Sequence, residues 1–185
     1  KTSVSKMLEK LGVHIIDTDV IAHEIVEPNG ECLNELVDYF GDSILNDDKT
    51  LNRKKLASIA FSDKQKTVAL SNITHKYIRA EVVKDINTTD AELVGIDGAV
   101  IIGSNVEPLC EFIVSVIADK QSRITRIKTR DNITDEQAIQ RINAQNDDEF
   151  YKENSMYIIY NNGDIAQLES DVVGLFNKIK GNSFE

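Results

Sequence analysis

The sequence predicts an α/β protein, a doubly wound parallel sheet carrying a helical insertion. β-Branched and apolar runs at 13–17, 92–102, 112–118 and 156–161 alternate with segments of helical periodicity. The runs "ELVGIDGAVII" and "FIVSVIA" are apolar enough to be covered on both faces, as strands of a parallel sheet are. Between the first and second runs, 20–90 shows helical patterning almost throughout, which marks an insertion between strands.

Each element has a local cause. Val4, Met7, Leu8 and Leu11 recur at the spacing of one helix face, and Gly12 is a natural stop. A helix therefore begins at or near the first residue, with no initiator methionine before it, and a lead-in is expected upstream. "VHIID" at 13–17 is a short candidate strand ending beside Asp17 and Asp19. Helices follow at 21–26, at 32–40 with Leu33, Leu36, Val37 and Phe40 on one face, at 51–61, and from 63 to 86. Further helices are expected at 120–129 and 134–145, the second opened by Thr134 with Gln137 three positions on, a capping-box pattern. Leu168, Val172, Leu175, Phe176 and Ile179 give the closing segment, 164–179, an apolar stripe.

At 185 residues and 41% hydrophobic content, the chain can bury a core of ordinary domain size. Cys32 and Cys110 lie far apart with no metal-ligand spacing, which fits a reducing compartment and packing as small apolar residues. No apolar run reaches the ~20 residues of a membrane span. The expectation is a soluble cytoplasmic protein. A net charge of -10 argues against a general nucleic-acid or anionic-membrane binder. Lys120, Arg123, Arg126, Lys128, Arg130 and Arg141 nevertheless concentrate in one stretch, as would suit a small polyanion or, equally, a solvated helix face.

Two motifs bear on chemistry. Lys1 and Thr2 open a helix as the last two positions of G-x-x-x-x-G-K-[ST] do, where backbone N–H groups surround phosphates, the lysine meets β/γ oxygens and the hydroxyl meets Mg²⁺. The glycine-rich part and the strand before it would lie upstream of Lys1. Asp17 and Asp19, expected to alternate along an extended strand end, would point to opposite sides, so only one faces a ligand. Ligands of open α/β sheets gather at that end of the strands, where a carboxylate can take a proton from an attacking hydroxyl. The alternative is a solvated turn with Asp19 as a helix N-cap.

The blocks "KTSVSKMLEKLG", "IIDTDVIAHEIVEP", "LNRKKLASIAF", "THKYIRAEV", "RIKTRDNITDEQAIQRINAQ" and "YIIYNNGDI" resemble, in order and spacing, those of dephospho-coenzyme A kinase. That family of P-loop kinases phosphorylates the 3'-hydroxyl of dephospho-coenzyme A with ATP, the last step of coenzyme A synthesis. The resemblance implies ATP as co-substrate and Mg²⁺, with small-molecule partners only. It implies a nucleotide-binding core of 1–19 with 91–119 and 156–185, an acceptor-binding insertion at 20–90 and a lid at 120–155. Lys1 and Thr2 then match the ATP-gripping lysine and the metal-binding hydroxyl, and Asp19 the general base that also meets the acceptor. Arg53, His75 and Arg79 match acceptor-binding positions. Arg126, Arg130 and Arg141 match the lid over the ATP phosphates, Arg126 beside the transferring group, and Asn161, Asn162 and Gly163 match the adenine site. Arg126 and Arg130, four apart on one helical face, could converge on one anion, and positioning with electrostatics is most of phosphoryl-transfer catalysis.

The chain departs from the family pattern in places. Ala99 and Gly103 stand where a proline and a glutamate are usual, Lys76 replaces a proline, and His23 an arginine. Ala99, Gly103 and Lys76 keep open a degenerate nucleotide binder without turnover; the enzymatic alternative is another small P-loop kinase for a nucleoside monophosphate-like acceptor.

Overall fold

The computed structural model describes residues 1–182. The chain folds as two compact units, Lys1–Val13 with the described part of Cys110–Glu185, and His14–Leu109. Each unit holds one parallel strand pair, so the described strands form two ribbons of two strands each.

In the unit His14–Leu109, β1 (His14–Asp17) pairs with β2 (Val94–Asp97) in parallel, Asp17 lying opposite Asp97 at the carboxyl end. The connection between them is the helical stretch the sequence predicts: α2 (Thr18–Glu24), α3 (Glu31–Phe40), α4 (Arg53–Ala60) and the long α5 (Lys64–Thr88). A 3₁₀ turn at Asp42–Ile44 and a bridge between Leu45 and Leu51 join α3 to α4, details that periodicity does not reveal. Asn52 and Asp63 cap α4 and α5 with their side-chain oxygens.

Two apolar clusters hold this unit. Cys32, Leu36, Ile44, Leu56, Ala60 and Ile73 join α3, α4 and α5, with Leu36 and Ile44 wholly buried. Ile16, Ile21, Val82 and Val106 pack the strand pair against α2 and α5. At the edge of this core the His14 imidazole meets Asp85 at 2.8 Å, tying β1 to α5. Lys76 and the Tyr77 hydroxyl both donate to Glu35, tying α5 to α3. The Lys76 bond chiefly, with that of Tyr77, holds the Glu35 carboxyl below the usual range.

The second apolar run is strand only over Val94–Asp97, not across 92–102. Extension past Asp97 would leave backbone groups without a partner, because β1 stops opposite it at Asp17. The chain turns instead, and the Ser104 N–H donates to the Ile101 carbonyl. Gly98 makes this possible by close approach: a Cβ there would stand 2.2 Å from Thr18 Oγ1 and 2.8 Å from Ile101 Cδ1.

In the other unit, α1 (Thr2–Lys10) starts at the second residue and ends before Gly12, whose φ of +93° suits glycine. Val4 sits in a cluster with Ile159, Leu168, Val172 and Leu175, joining α1 to β4 (Tyr157–Tyr160) and α9 (Ile165–Asn182). β4 pairs in parallel with β3 (Val114–Ile117). Between these strands α6 (Lys120–Asp131) and α7 (Asp135–Asn143) pack through Ile124, Ala138 and Ile142, and a further short helix, α8 (Asp148–Glu153), was not expected from the sequence. Thr134 and Gln137 form the capping box in both directions at the start of α7.

Leu36→Ala should cost about 2–5 kcal/mol by emptying a fully enclosed site, visible as a lower urea midpoint with an unchanged slope. Gly98→Ala should destabilise by about 1–3 kcal/mol, since the clash is with a held hydroxyl and not a flexible chain end. Burial pushes the Cys32 thiol from 9.0 up to about 11. Its contribution is therefore full below pH 9.0 and lost as pH rises towards 11, so Cys32→Ala should flatten the alkaline fall of stability measured by urea unfolding.

Candidate active site

The residues expected on the acceptor side belong to the unit His14–Leu109. β1 gives way to α2 with no loop, because the Asp17 carboxylate accepts from the N–H groups of Asp19 (2.8 Å) and Val20 (3.2 Å). Asp17 is the N-cap, so the sequence expectation that Asp19 could fill that role is corrected. Nor do the two acids alternate along a strand: Asp19 lies in the first turn of α2. Capping occupies Asp17 and leaves Asp19 as the acid facing a cleft.

That cleft, of about 110 Å³, is lined by Thr18, Asp19, His75, Ile101, Asn105 and their neighbours. Its floor is tied down by Thr18 Oγ1, which donates to the Asp97 carbonyl at 3.1 Å. His75, from α5, joins Asp19 in the same cleft. Arg79, one turn further along α5, donates to the Asn105 carbonyl at 2.5 Å, while Asn105 Nδ2 donates to the His75 carbonyl at 2.9 Å. Arg53 stands apart from the cleft lining, its guanidinium 3.5 Å from the His23 carbonyl. His23 Nδ1 donates to the Asp19 carbonyl at 2.7 Å, which fixes its tautomer, since a carbonyl only accepts.

The departures have structural partners. Lys76 is held by Glu35 at 2.6 Å. Gly103 takes a φ of +78°, and its N–H donates to the Glu107 carboxylate at 2.6 Å, so an acid four positions on stands at the backbone of the position that lacks one. Ala99 lines the cleft directly, beside the exposed Val100.

The residues expected on the nucleotide side belong to the other unit. Lys1 occupies the N-cap position of α1 without a side-chain cap bond, and no acid lies in the helix's first turn. Thr2 is the first residue of the helix and is exposed. Arg126 Nη2 donates to Asn161 Oδ1 at 3.2 Å, bringing together two residues singled out from the sequence. Asn162 Oδ1 accepts from the Asp119 N–H at 2.7 Å, fastening the end of β4 to the start of α6, and Gly163 follows in the exposed turn.

The two remaining arginines converge on a carboxylate. Asp131 accepts from Arg130 Nε and Nη2 at 2.6 and 2.9 Å, and from Arg141 on α7. Asn132, at φ +51°, ends α6 in the left-handed region, after which α7 packs back against α6. The Arg130 guanidinium, first among the neighbours, holds the Asp131 carboxyl below its usual range. Arg126 and Arg130 thus keep different partners, and the predicted face of two guanidiniums is one amide-bound cation and one carboxylate-bound cation.

Sequence reasoning did not single out Asn105 or Asp131. Asn105 carried no signal, since its bonds run to backbone groups of residues distant in sequence. Asp131 had one: an acid directly after a basic helical turn at a helix end.

Comparison with known proteins gives a consistent picture. The family model for dephospho-CoA kinase matches residues 1–167. The dephospho-CoA kinase of Lactobacillus johnsonii is 32% identical over 182 residues, spanning 97% of this chain and 92% of that protein. Among solved structures, TT1252 from Thermus thermophilus superposes with a TM-score of 0.82 at 22% identity, over 96% of this chain and 90% of the other, a likeness of fold. Dephospho-CoA kinase from Campylobacter jejuni superposes with a TM-score of 0.69 at 26% identity, over 98% and 92%. The fold is that of an α/β P-loop kinase, and with these matches over nearly its whole length the chain belongs to the dephospho-CoA kinase family.

Proposed function

We infer that this chain transfers the γ-phosphoryl group of ATP to the 3'-hydroxyl of dephospho-coenzyme A, giving coenzyme A and ADP. Family membership across residues 1–167 carries this reading. We assign ATP binding to 1–19 with 91–119 and 156–185, the acceptor to 20–90, and the lid to 120–155; this division by role differs from the two compact units.

Asp19 is the group that takes the 3'-hydroxyl proton as the oxygen attacks phosphorus. Phosphoryl transfer is catalysed mostly by positioning and electrostatics, so the placement of this carboxylate carries much of the effect. His75, Arg79 and Arg53 bind the acceptor, the two arginines by offering charge to its phosphates. Lys1 holds β/γ oxygens of ATP. Arg126 bears on the transferring group, and its guanidinium is oriented by the neutral amide of Asn161. Arg130 and Arg141 share one carboxylate, so the three arginines with Asp131 retain net positive charge towards the phosphates. Asn161, Asn162 and Gly163 border the adenine.

The Thr2 hydroxyl is a single hard oxygen donor, which fits Mg²⁺, an ion that keeps most of its shell in phosphate and water oxygens. Mg²⁺ bound there would supply neutralisation of charge on the β and γ phosphates. No helix among the described residues is long and apolar enough to cross a membrane. We place the enzyme in the cytoplasm with small molecules as its partners.

Purified protein given ATP, Mg²⁺ and dephospho-coenzyme A should form coenzyme A and should prefer this acceptor to nucleoside monophosphates. Asp19→Asn should lower turnover about 10²–10⁴-fold while retaining ATP affinity. Preference for a monophosphate, or ATP binding with no turnover by the unaltered enzyme, would overturn the reading.

A further inference from the structure

We propose that Asn105 is an acceptor-recognition residue, its side-chain oxygen receiving a hydrogen bond from an N–H or O–H at the nucleoside end of dephospho-coenzyme A. The inference rests on the acceptor reading of the cleft in the unit His14–Leu109.

Among the described residues, Asn105 Oδ1 is the one buried side-chain polar atom without a hydrogen-bond partner. Buried acceptors in folded proteins are nearly always satisfied, and an exception calls for a ligand, a water or a functional reason. The orientation of the amide is fixed by its other half: Nδ2 donates to the His75 carbonyl at 2.9 Å, and turning the group over would set oxygen against oxygen. The backbone is held as well. Arg79 donates to the Asn105 carbonyl, Ser104 Oγ accepts from the Val106 N–H and donates to the Ile101 carbonyl, and the Val106 side chain is buried.

This oxygen belongs to a residue lining the same cleft as Asp19 and His75. A carbonyl oxygen only accepts, so it selects against phosphate and pyrophosphate groups, whose oxygens accept as well. Asp19 takes the proton of the ribose 3'-hydroxyl, so the nucleoside end is what the cleft receives. The remaining donors there are the 2'-hydroxyl and the adenine amino group. Asn105 meets one of them, and discriminates against acceptors that lack it, because such an acceptor leaves the amide oxygen unpaired.

Steady-state kinetics of Asn105→Ala should show KM for dephospho-coenzyme A raised about 3–10-fold, with kcat and KM for ATP within about twofold of the unaltered enzyme. Two acceptor analogues identify the donor, one with the 2'-hydroxyl replaced by hydrogen and one with the 6-amino group replaced by oxygen. One should lose a similar factor with the unaltered enzyme and lose nothing more with Asn105→Ala. Because the alanine variant can fail to fold, the Asn105 side-chain amide resonance of the unaltered enzyme supplies a second readout: it should shift with dephospho-coenzyme A and not with ATP alone. An unchanged KM, losses that multiply for both analogues, or an unmoved amide resonance would show that only water or structure satisfies this oxygen and would overturn the inference. An unaltered enzyme that does not phosphorylate dephospho-coenzyme A at all would instead overturn the reading of function.

Discussion

The carboxylate of Asp17 turns a strand into a helix without an intervening loop, and the geometry of the cleft lined by Asp19 follows from that one cap. By accepting from the N–H groups of Asp19 and Val20 it satisfies two of the donors that a helix start leaves open. It also fixes the direction in which the first turn of α2 leaves the strand pair. Asp19, one residue into that turn, is thereby placed in the cleft by backbone geometry and not by a mobile loop. Thr18 reinforces the arrangement by reaching the other strand, since its hydroxyl donates to the Asp97 carbonyl at the end of β2, and glycine at 98 is what lets the two segments approach so closely. Catalysis by positioning requires reacting groups to be held in place, so a rigid support is what such a residue needs.

The unit bearing Lys1 handles charge differently. Arg130 and Arg141 are exposed guanidiniums brought to a shared carboxylate by the reversal at Asn132. A single carboxylate cannot neutralise two guanidiniums, and Asp131 keeps both forks ordered while leaving net positive charge. Loose arginines would repel one another and lose side-chain entropy on meeting a phosphate; paired ones have already lost part of it. Arg126 is ordered by a neutral hydrogen-bond partner, the Asn161 amide.

Periodicity made the helices legible, because an apolar stripe such as Leu33, Leu36, Val37 and Phe40 is a property of neighbouring residues. Strand ends were not, because a strand stops where its partner does: the run 92–102 has strand character throughout, yet pairing ends at Asp97 opposite Asp17. The division of labour between Asp17 and Asp19 was hidden for a similar reason, since it depends on which residue turns into the helix first. Lys1, Asp19 and the arginines announced themselves by residue type and motif. Asn105 did not, because its bonds to His75 and from Arg79 involve backbone carbonyls that no sequence pattern encodes.

The departures from the family pattern show how local bonding can absorb a changed residue. Where a proline is usual, Lys76 gives α5 an ordinary backbone donor and a cation, and Glu35 on α3 takes the cation together with the Tyr77 hydroxyl. That contact ties two helices at their surface, so its worth in stability is small, and the apolar cluster of Cys32, Leu36 and Ile73 is what packs α5 on α3. At 103 the exchange is sharper. Glycine removes a side chain but accepts a left-handed φ, and that turn lets its N–H meet Glu107. The loop that carries Asn105 is therefore closed by a carboxylate supplied from further along the chain.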